Sequence, residues 1–247
     1  KLTILQYTQQ NSAFWNAITI HPIYDAEQNF QYILLTCEDT TDAELNKMVY
    51  KLEHEVYEAI NHEDNLPSIL SLIAKQIEEF YIHNSYCTIH LFDENYEIKS
   101  LGSYALPSEV IGELDLLTVT PAMSYDPLAV YIKNFTQNDT PTHLNKYFDF
   151  SHLTGSWTKP ILTAQNKVIG ILTLLFQDSP QLKQCDINYL NRLALLIQLA
   201  TKYAEQKIEL RRLAFYDIET NLPNLQHFKA ELAKWLEQGE TGYVALI

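Results

Sequence analysis

The chain has little of what metal centres, membranes and nucleic acids require. It holds only three cysteines, Cys37, Cys87 and Cys185, too far apart for the short spacings of a zinc site. So sparse and odd a set fits reduced thiols, and with it a cytoplasmic setting. No apolar run approaches the ~20 residues of a membrane-spanning helix, and no signal-peptide pattern follows Lys1. Basic residues are scarce as well. Lys and Arg number 17 against 31 Asp and Glu, a net charge of −14. A phosphate-backbone binder needs a basic footprint, so neither nucleic acid nor a membrane is an expected partner. P-loop, nucleophile-elbow and zinc-protease patterns are missing, and no spacing pairs two carboxylates for acid–base work. No catalytic residue is assigned, no metal site is expected, and no cofactor can be named. The first residue, Lys1, and the strand-like ending Tyr243–Ile247 both read as cuts within a longer protein.

What is there is a well-provisioned core, with 47% hydrophobic residues in 247. Two strands are expected over 14–37, joined by a polar turn at Asp25–Asn29. A hairpin alone is marginal in water, so it must rest on something else. Thr41 and Glu44 have the spacing of a capping box. The helix after them carries Leu45, Met48, Leu52, Val56 and Ala59 on one stripe. A second helix follows Asn61–Asn65, with Asp64 or Asn65 as its cap and Pro67 in its first turn. Strands are expected at 86–92 and 97–105 around a turn at Asp93–Tyr96. The stretch 106–150 is irregular, with a short helix near 126–134. A second hairpin spans 157–163 and 167–176 about Ala164–Asn166. A long helix from Asp186 to Leu213 closes the series. Its Leu193, Leu196, Ala200, Tyr203, Lys207 and Leu210 form a heptad-like seam with one charged interruption. The first half could equally pack on its own sheet, whereas Lys202–Arg212 is too polar for a core.

Three segments resemble known families. Phe14-Trp15-Asn16, His21-Pro22-Ile23-Tyr24-Asp25 and Cys37-Glu38-Asp39-Thr40-Thr41 are similar to the last two strands of a PAS domain, in which Asp39 or Thr41 would cap the helix leaving the domain. Residues 65–205 resemble a GAF domain, most clearly at Ser156-Trp157-Thr158-Lys159-Pro160-Ile161 and Val168-Ile169-Gly170-Ile171-Leu172. Gly170 there would let a neighbouring element approach closely. Residues 213–228 resemble the opening of a GGDEF domain through Asp217, Thr220, Leu222, Pro223, Asn224 and Phe228. Asn221 stands where that family has Gly, and Asn is the next-best residue for a left-handed turn. Leu225 replaces the usual Arg, which suggests a divergent domain.

The resemblance implies an α+β fold: a GAF-like domain with a central antiparallel sheet flanked by helices, and long linker helices on both sides. The implied divisions are 1–42 (C-terminal half of a PAS-like domain), 43–62 (linker helix), 63–205 (GAF-like domain) and 206–247 (relay helix and start of a GGDEF-like domain). The order is similar to that of oxygen-sensing cyclic-di-GMP phosphodiesterases with GGDEF and EAL domains. The implied role is a sensory and dimerisation module, a homodimer through its linker helices that takes a small-molecule ligand. A ligand-free structural spacer is the alternative, and a self-contained enzyme in 65–205 a weaker third.

Candidate pocket residues follow from strand alternation. In 86–92, Cys87, Ile89 and Leu91 share one face, while Tyr86, Thr88, His90 and Phe92 share the other. If the first set meets the helices, His90 faces the side where GAF domains can hold a ligand and could take haem or an anion. It could also be a hydrogen-bonded sheet histidine. Cys87 is expected to be a buried small hydrophobe rather than a bilin-attaching or redox thiol. Tyr104, Tyr125, Tyr131 and Trp157 could wall a pocket or simply fill the core. His143 and His152 could stand at a pocket mouth or lie in solvent.

Overall fold

The computed structural model describes residues 1–8, 13–62, 65–80, 85–106, 130–134, 152–177 and 181–237. The chain divides into two compact units, Lys1–Ala200 and Thr201–Ile247. The class is α+β, built on antiparallel sheets and helices.

The first unit opens with strands β1 (Leu2–Tyr7), β2 (Ala13–Tyr24) and β3 (Phe30–Asp39), which form an antiparallel sheet in that order. The expected hairpin is present but longer, and β1 is an addition to it. Pairing of β1 with β2 runs from Tyr7↔Ala13 to Leu2↔Ile18. Past Ile18, β2 is an edge strand, and so Pro22 can lie in it without removing a ladder bond. The turn closes on Asp25, whose carboxylate accepts the N–H of Glu27 at 2.9 Å and of Asn29 at 2.8 Å.

Helix α1 (Thr41–Asn61) follows directly. The expected capping box does not form. Thr40 is the N-cap residue and makes no side-chain cap bond. The Thr41 hydroxyl instead accepts the Trp15 N–H at 2.9 Å and donates to Asp39. A long-range partner has displaced the local one. Asp39 also accepts the Thr41 N–H at 3.0 Å, and its bonds to Thr41 hold its carboxyl below the ordinary range. The buried stripe of α1 is Leu45, Val49, Leu52, Val56 and Ile60, rotated slightly from the expected one. Helix α2 (Leu66–Phe80) starts as expected, with the Asn65 carboxamide oxygen accepting the Ser68 N–H at 2.9 Å.

A five-stranded antiparallel sheet completes the unit, in the order β5-β4-β8-β7-β6. Its strands are β4 (Ser85–Phe92), β5 (Ile98–Ser103), β6 (Tyr131–Asn134), β7 (Gly155–Leu162) and β8 (Val168–Phe176). The helix expected near 126–134 is corrected in its described part: Tyr131–Asn134 is strand β6, paired with Gly155–Thr158. Four residues carry too little periodicity to decide between helix and strand, and here pairing with β7 decides it. Residues 107–129, 135–150 and Tyr243–Ile247 lie outside the described residues.

One face of this sheet, through Cys87, Ile89, Leu172 and Leu174, shares a single core with the buried residues of α1 and α2 and of helix α3 (Gln184–Phe215). The first half of α3 gives Leu193, Leu196, Ile197 and Ala200 to that core. It is therefore an amphipathic helix on its own sheet, one of the two readings its sequence allowed. The seat of α2 is close. A Cβ on Gly102 of β5 would lie 2.7 Å from the Leu70 carbonyl carbon and nearer still to its Cβ. Gly170 is tight in the same way, but its neighbour is a strand: a Cβ there would press on the His90 carbonyl oxygen and lie 2.7 Å from Leu91 Cδ2. One arginine ties α3 to α1. Arg192 donates to Asn46 Oδ1 at 2.7 Å and Glu53 Oε1 at 3.1 Å, and lies 4.8 Å from the centre of the Tyr50 ring. Its planar fork thus spans two turns of α1.

In the second unit, α3 ends at Phe215 and α4 (Leu225–Glu237) begins after a tight turn. Asp217 accepts both the N–H and the hydroxyl of Thr220, at 2.9 and 2.8 Å. Asn221 has φ 55°, the left-handed conformation expected of it. Asn224 joins the two helices: its carboxamide donates to the Ala214 carbonyl at 2.8 Å and accepts the His227 N–H at 3.0 Å. Among the described residues, no helix is long and apolar enough to cross a membrane.

Two substitutions test this packing by urea unfolding. Gly102→Ala is expected to cost about 1–3 kcal/mol, because the added methyl meets helix backbone as well as side chain. Arg192→Ala is expected to cost about 1–2 kcal/mol, the loss of two charge-assisted bonds at a partly exposed site.

Candidate functional site

Strand alternation gives the five-stranded sheet a second face, pointing away from the helical core. Its residues are set by register. Thr88 on β4 stands beside Ser103 on β5 and Thr173 on β8. Thr173 stands beside Thr158 on β7, and Thr158 beside Tyr131 on β6. One row of hydroxyl side chains therefore crosses every strand. The row next to it holds Leu101, His90, Ile171 and Pro160, and the row on its other side begins with Tyr86, Leu175 and Ser156.

This face is buried, and beside its polar residues it carries an apolar cluster of Phe92, Val168 and Ile171. Thr88, Thr158 and His90 are each 1% exposed and Ser156 0%. Water therefore does not satisfy these groups, and each needs a protein or ligand partner. Thr158 Oγ1 and Thr173 Oγ1 lie 3.3 Å apart, a long contact for two hydroxyls. The hydroxyls of Ser103 and Ser156 are buried and bond to no protein atom.

The face matches the alternation expected of β4: Cys87, Ile89 and Leu91 lie in the helical core, and His90 lies opposite. The other named candidates fare differently. Trp157 is corrected: it lies on the helix side, 1% exposed, edge-on to Phe176 with ring centroids 4.6 Å apart. It fills the core because its register partner is Leu174, a core residue of β8. Tyr104 is 57% exposed, past the end of β5, with the Lys75 ammonium 5.4 Å from its ring centre. Tyr125 and His143 lie outside the described residues, and His152 is exposed. Tyr131 does lie on the face, at the end of the hydroxyl row.

The threonine row was not singled out from the sequence. Thr in a β-rich strand reads as a β-former, and only register shows that Thr88, Thr158 and Thr173 are neighbours. Lys159 was missed too. It is 2% exposed and shares the helix side with Trp157 and Ile161, the alternate positions of β7.

Electrostatics separate the two sides further. Burial pushes the Cys87 thiol well up, and the nearby Glu78 carboxylate adds to it. A protonated, enclosed sulfur on the helix side suits neither chromophore attachment nor redox work. Burial also pushes up the Tyr189 phenol. Glu78 on α2 accepts the Cys87 N–H at 2.8 Å. Burial raises its carboxyl, while the N–H groups of Cys87 and Ala105 oppose the rise. Among the described residues, no group of three or more His, Cys, Asp or Glu could hold a metal ion.

No family model and no curated protein matches the chain. Solved structures do show likenesses. The GAF domain of a phosphoenolpyruvate-protein phosphotransferase from Coxiella burnetii is 16% identical, with a TM-score of 0.47, over 66% of this chain and 98% of that one. The chromophore-binding domain of a bacteriophytochrome from R. palustris is 13% identical, with a TM-score of 0.49, over 84% of this chain and 75% of that one. The free methionine-R-sulfoxide reductase of Neisseria meningitidis, solved with its substrate, is 16% identical, with a TM-score of 0.45, over 70% of this chain and 96% of that one. At these values the strand order, register and burial described above carry the functional reading.

Glu78 generates a pH prediction. Its folded pKa lies above the ordinary 4.5. The stability linked to its protonated form is therefore complete below that value and lost as pH rises through the raised one. Glu78→Gln keeps an acceptor for the two N–H groups but does not ionise. Urea unfolding is expected to show the variant gaining on the parent chain from pH 4 to pH 7; a constant difference across that range would refute the assignment.

Proposed function

We propose that the chain is a sensory and relay module of a cyclic-di-GMP signalling protein. In this reading residues 63–205 are a GAF-like domain that takes a small molecule on the His90 face. Residues 1–42 are the closing part of a PAS-like sheet, 43–62 the input linker, and 206–247 a relay helix and the opening of a GGDEF-like domain. The module is not itself an enzyme and acts as a homodimer through its linker helices.

The observation that carries this reading is helix α3. Its first half places Leu193 and Ile197 at 0% exposure in the core under the sheet, while further along Tyr203, Leu210 and Leu213 are 43–67% exposed. With Leu199 and Gln206 they follow the alternating four-and-three spacing of a two-stranded coiled-coil seam. A change on the sheet then reaches α3 through packed side chains, and a dimer seam supplies the bistable element a relay needs.

The flanks support the wider reading. Strands β1 to β3 run straight into α1 through Asp39 and Thr41, as the ending of a PAS-like sheet would. Their hairpin is apolar on both faces, with Tyr32, Ile33, Leu34 and Leu35 at least 50% exposed, which suits a sheet that other layers cover. In the second unit, the Asp217–Thr220 turn, left-handed Asn221 and helix-capping Asn224 suit the roles their positions have in a GGDEF-like opening.

Light scattering tests the relay. The chain of 28.6 kDa is expected to run at twice that mass at micromolar concentration, and Leu210→Glu with Leu213→Glu to return it to the monomer without unfolding it. A monomeric parent chain, or a dimer indifferent to both substitutions, sinks the proposal. A stable dimer that takes no small molecule of any kind would leave a structural spacer instead.

A further inference from the structure

The second unit holds a cavity of its own, about 690 Å³, between the last turns of α3 and the inner side of α4. Pockets that take small ligands run to roughly 300–1,000 Å³. The charge of this one runs against that of the chain. Arg211, Arg212 and Lys234 line it, three of the chain's 17 basic residues, against Glu231 alone of its 31 acids. Aromatic rings line it as well. The His227 ring meets both Phe215 and Tyr216, with centroids 5.6 and 5.2 Å away and interplanar angles of 82° and 79°. All three rings are partly exposed.

Each cation alone has an ordinary account. Arg212 and Lys234 stand in the last turns of their helices, where positive charge meets the negative end of the helix dipole. Each also pairs with an acid one turn back: Arg212 with Glu209 through two contacts of 3.0 Å, and Lys234 with Glu231 at 2.8 Å. Exposed pairs of this kind are worth little, so they yield readily to a stronger acceptor. Neither account explains why cations from two helices converge on one cavity lined with rings. His227 adds a second observation. Its Nδ1 is buried and bonds to no protein atom. A lone pair is left unmatched more often than an N–H, which puts the ring proton on Nε2 as a donor.

We infer that this cavity binds a planar ring that carries a phosphate, as a nucleoside monophosphate does. Arg211, Arg212 and Lys234 hold the phosphate, and Phe215, Tyr216 and His227 carry the ring. Guanidinium groups match phosphate oxygens in pairs, and lysine adds a point charge. A planar group gains area and ring contacts against the aromatic side chains, with Ile208 and Ala230 as apolar wall. Free phosphate would leave the rings unused, and an uncharged ring would leave the cations unused. The site lies wholly within the second unit of one chain, so it stands apart from the sheet face and from the dimer mass read by light scattering.

Calorimetry on the full chain tests this with AMP and GMP, their nucleosides adenosine and guanosine, ribose 5-phosphate and inorganic phosphate. At least one nucleotide is expected to bind, about tenfold or more tightly than its nucleoside, ribose 5-phosphate or phosphate. Arg211→Gln and Lys234→Gln are each expected to weaken that binding about 5- to 10-fold, the effect of one hydrogen bond to a charged group. Lys229→Gln, an equal loss of charge on α4 outside the cavity, is expected to leave it within about twofold. Melting temperatures without ligand report whether a variant keeps its fold, and Lys234→Gln, at an exposed position, decides if Arg211→Gln does not. No binding by either nucleotide, equal binding by a nucleoside or by either ring-free phosphate, or a loss with Lys229→Gln as large as with Lys234→Gln would each overturn the inference.

Discussion

Strands β4 and β8 lie side by side at the centre of the five-stranded sheet and are buried on both faces. Each strand therefore has to satisfy two environments with alternate residues. Cys87, Ile89, Leu172 and Leu174 serve the helical core. Thr88, His90 and Thr173 serve the other side. The rest of the first unit is arranged around this requirement. Gly102 admits α2 against β5, Gly170 lets β8 meet β4 beside Leu91, and α3 closes the core from the same side as α2.

A sheet with one apolar buried face and one that mixes apolar with polar residues has two kinds of stability. The apolar side gains from area removed from water and tolerates modest changes of shape. The polar side gains little net, because each bond replaces one to water, and it loses heavily where a partner is missing. The unpartnered hydroxyls of Ser103 and Ser156 belong to this second kind. Packing on the helical side thus accounts for most of what holds the domain together.

Much of this was legible locally. Alternation in 86–92 placed Cys87 and His90 on their correct sides, Asn65 was readable as a cap, and Asn221 as a left-handed residue, because each depends on a few neighbours in sequence. What was not legible depends on distant partners. Strand β6 exists through β7; Thr41 gave up its local cap for Trp15, twenty-six residues away. Trp157 could wall a pocket or fill the core as far as its sequence went, and pairing with Leu174 fixed it in the core. The hydroxyl row has no sequence signature at all, since its members come from five strands and meet only through register. Aromatic residues drew attention to themselves as pocket walls, while the small polar residues that form the face did not.

The hairpin of β2 and β3 carries a consequence for how the chain behaves in solution. From Phe30 to Cys37 it has no charged residue, and both of its faces are apolar and exposed. What opposes its association with other molecules at neutral pH is long-range repulsion, supplied by the acidic excess of the chain as a whole. That repulsion vanishes at the isoelectric point, near pH 4.9, and is screened within about 10 Å at 0.1 M salt. The acidic composition, with no assigned part in sensing, is thereby the colloidal counterweight to an uncharged edge strand, and mild acid or high salt is where that strand governs the state of the sample.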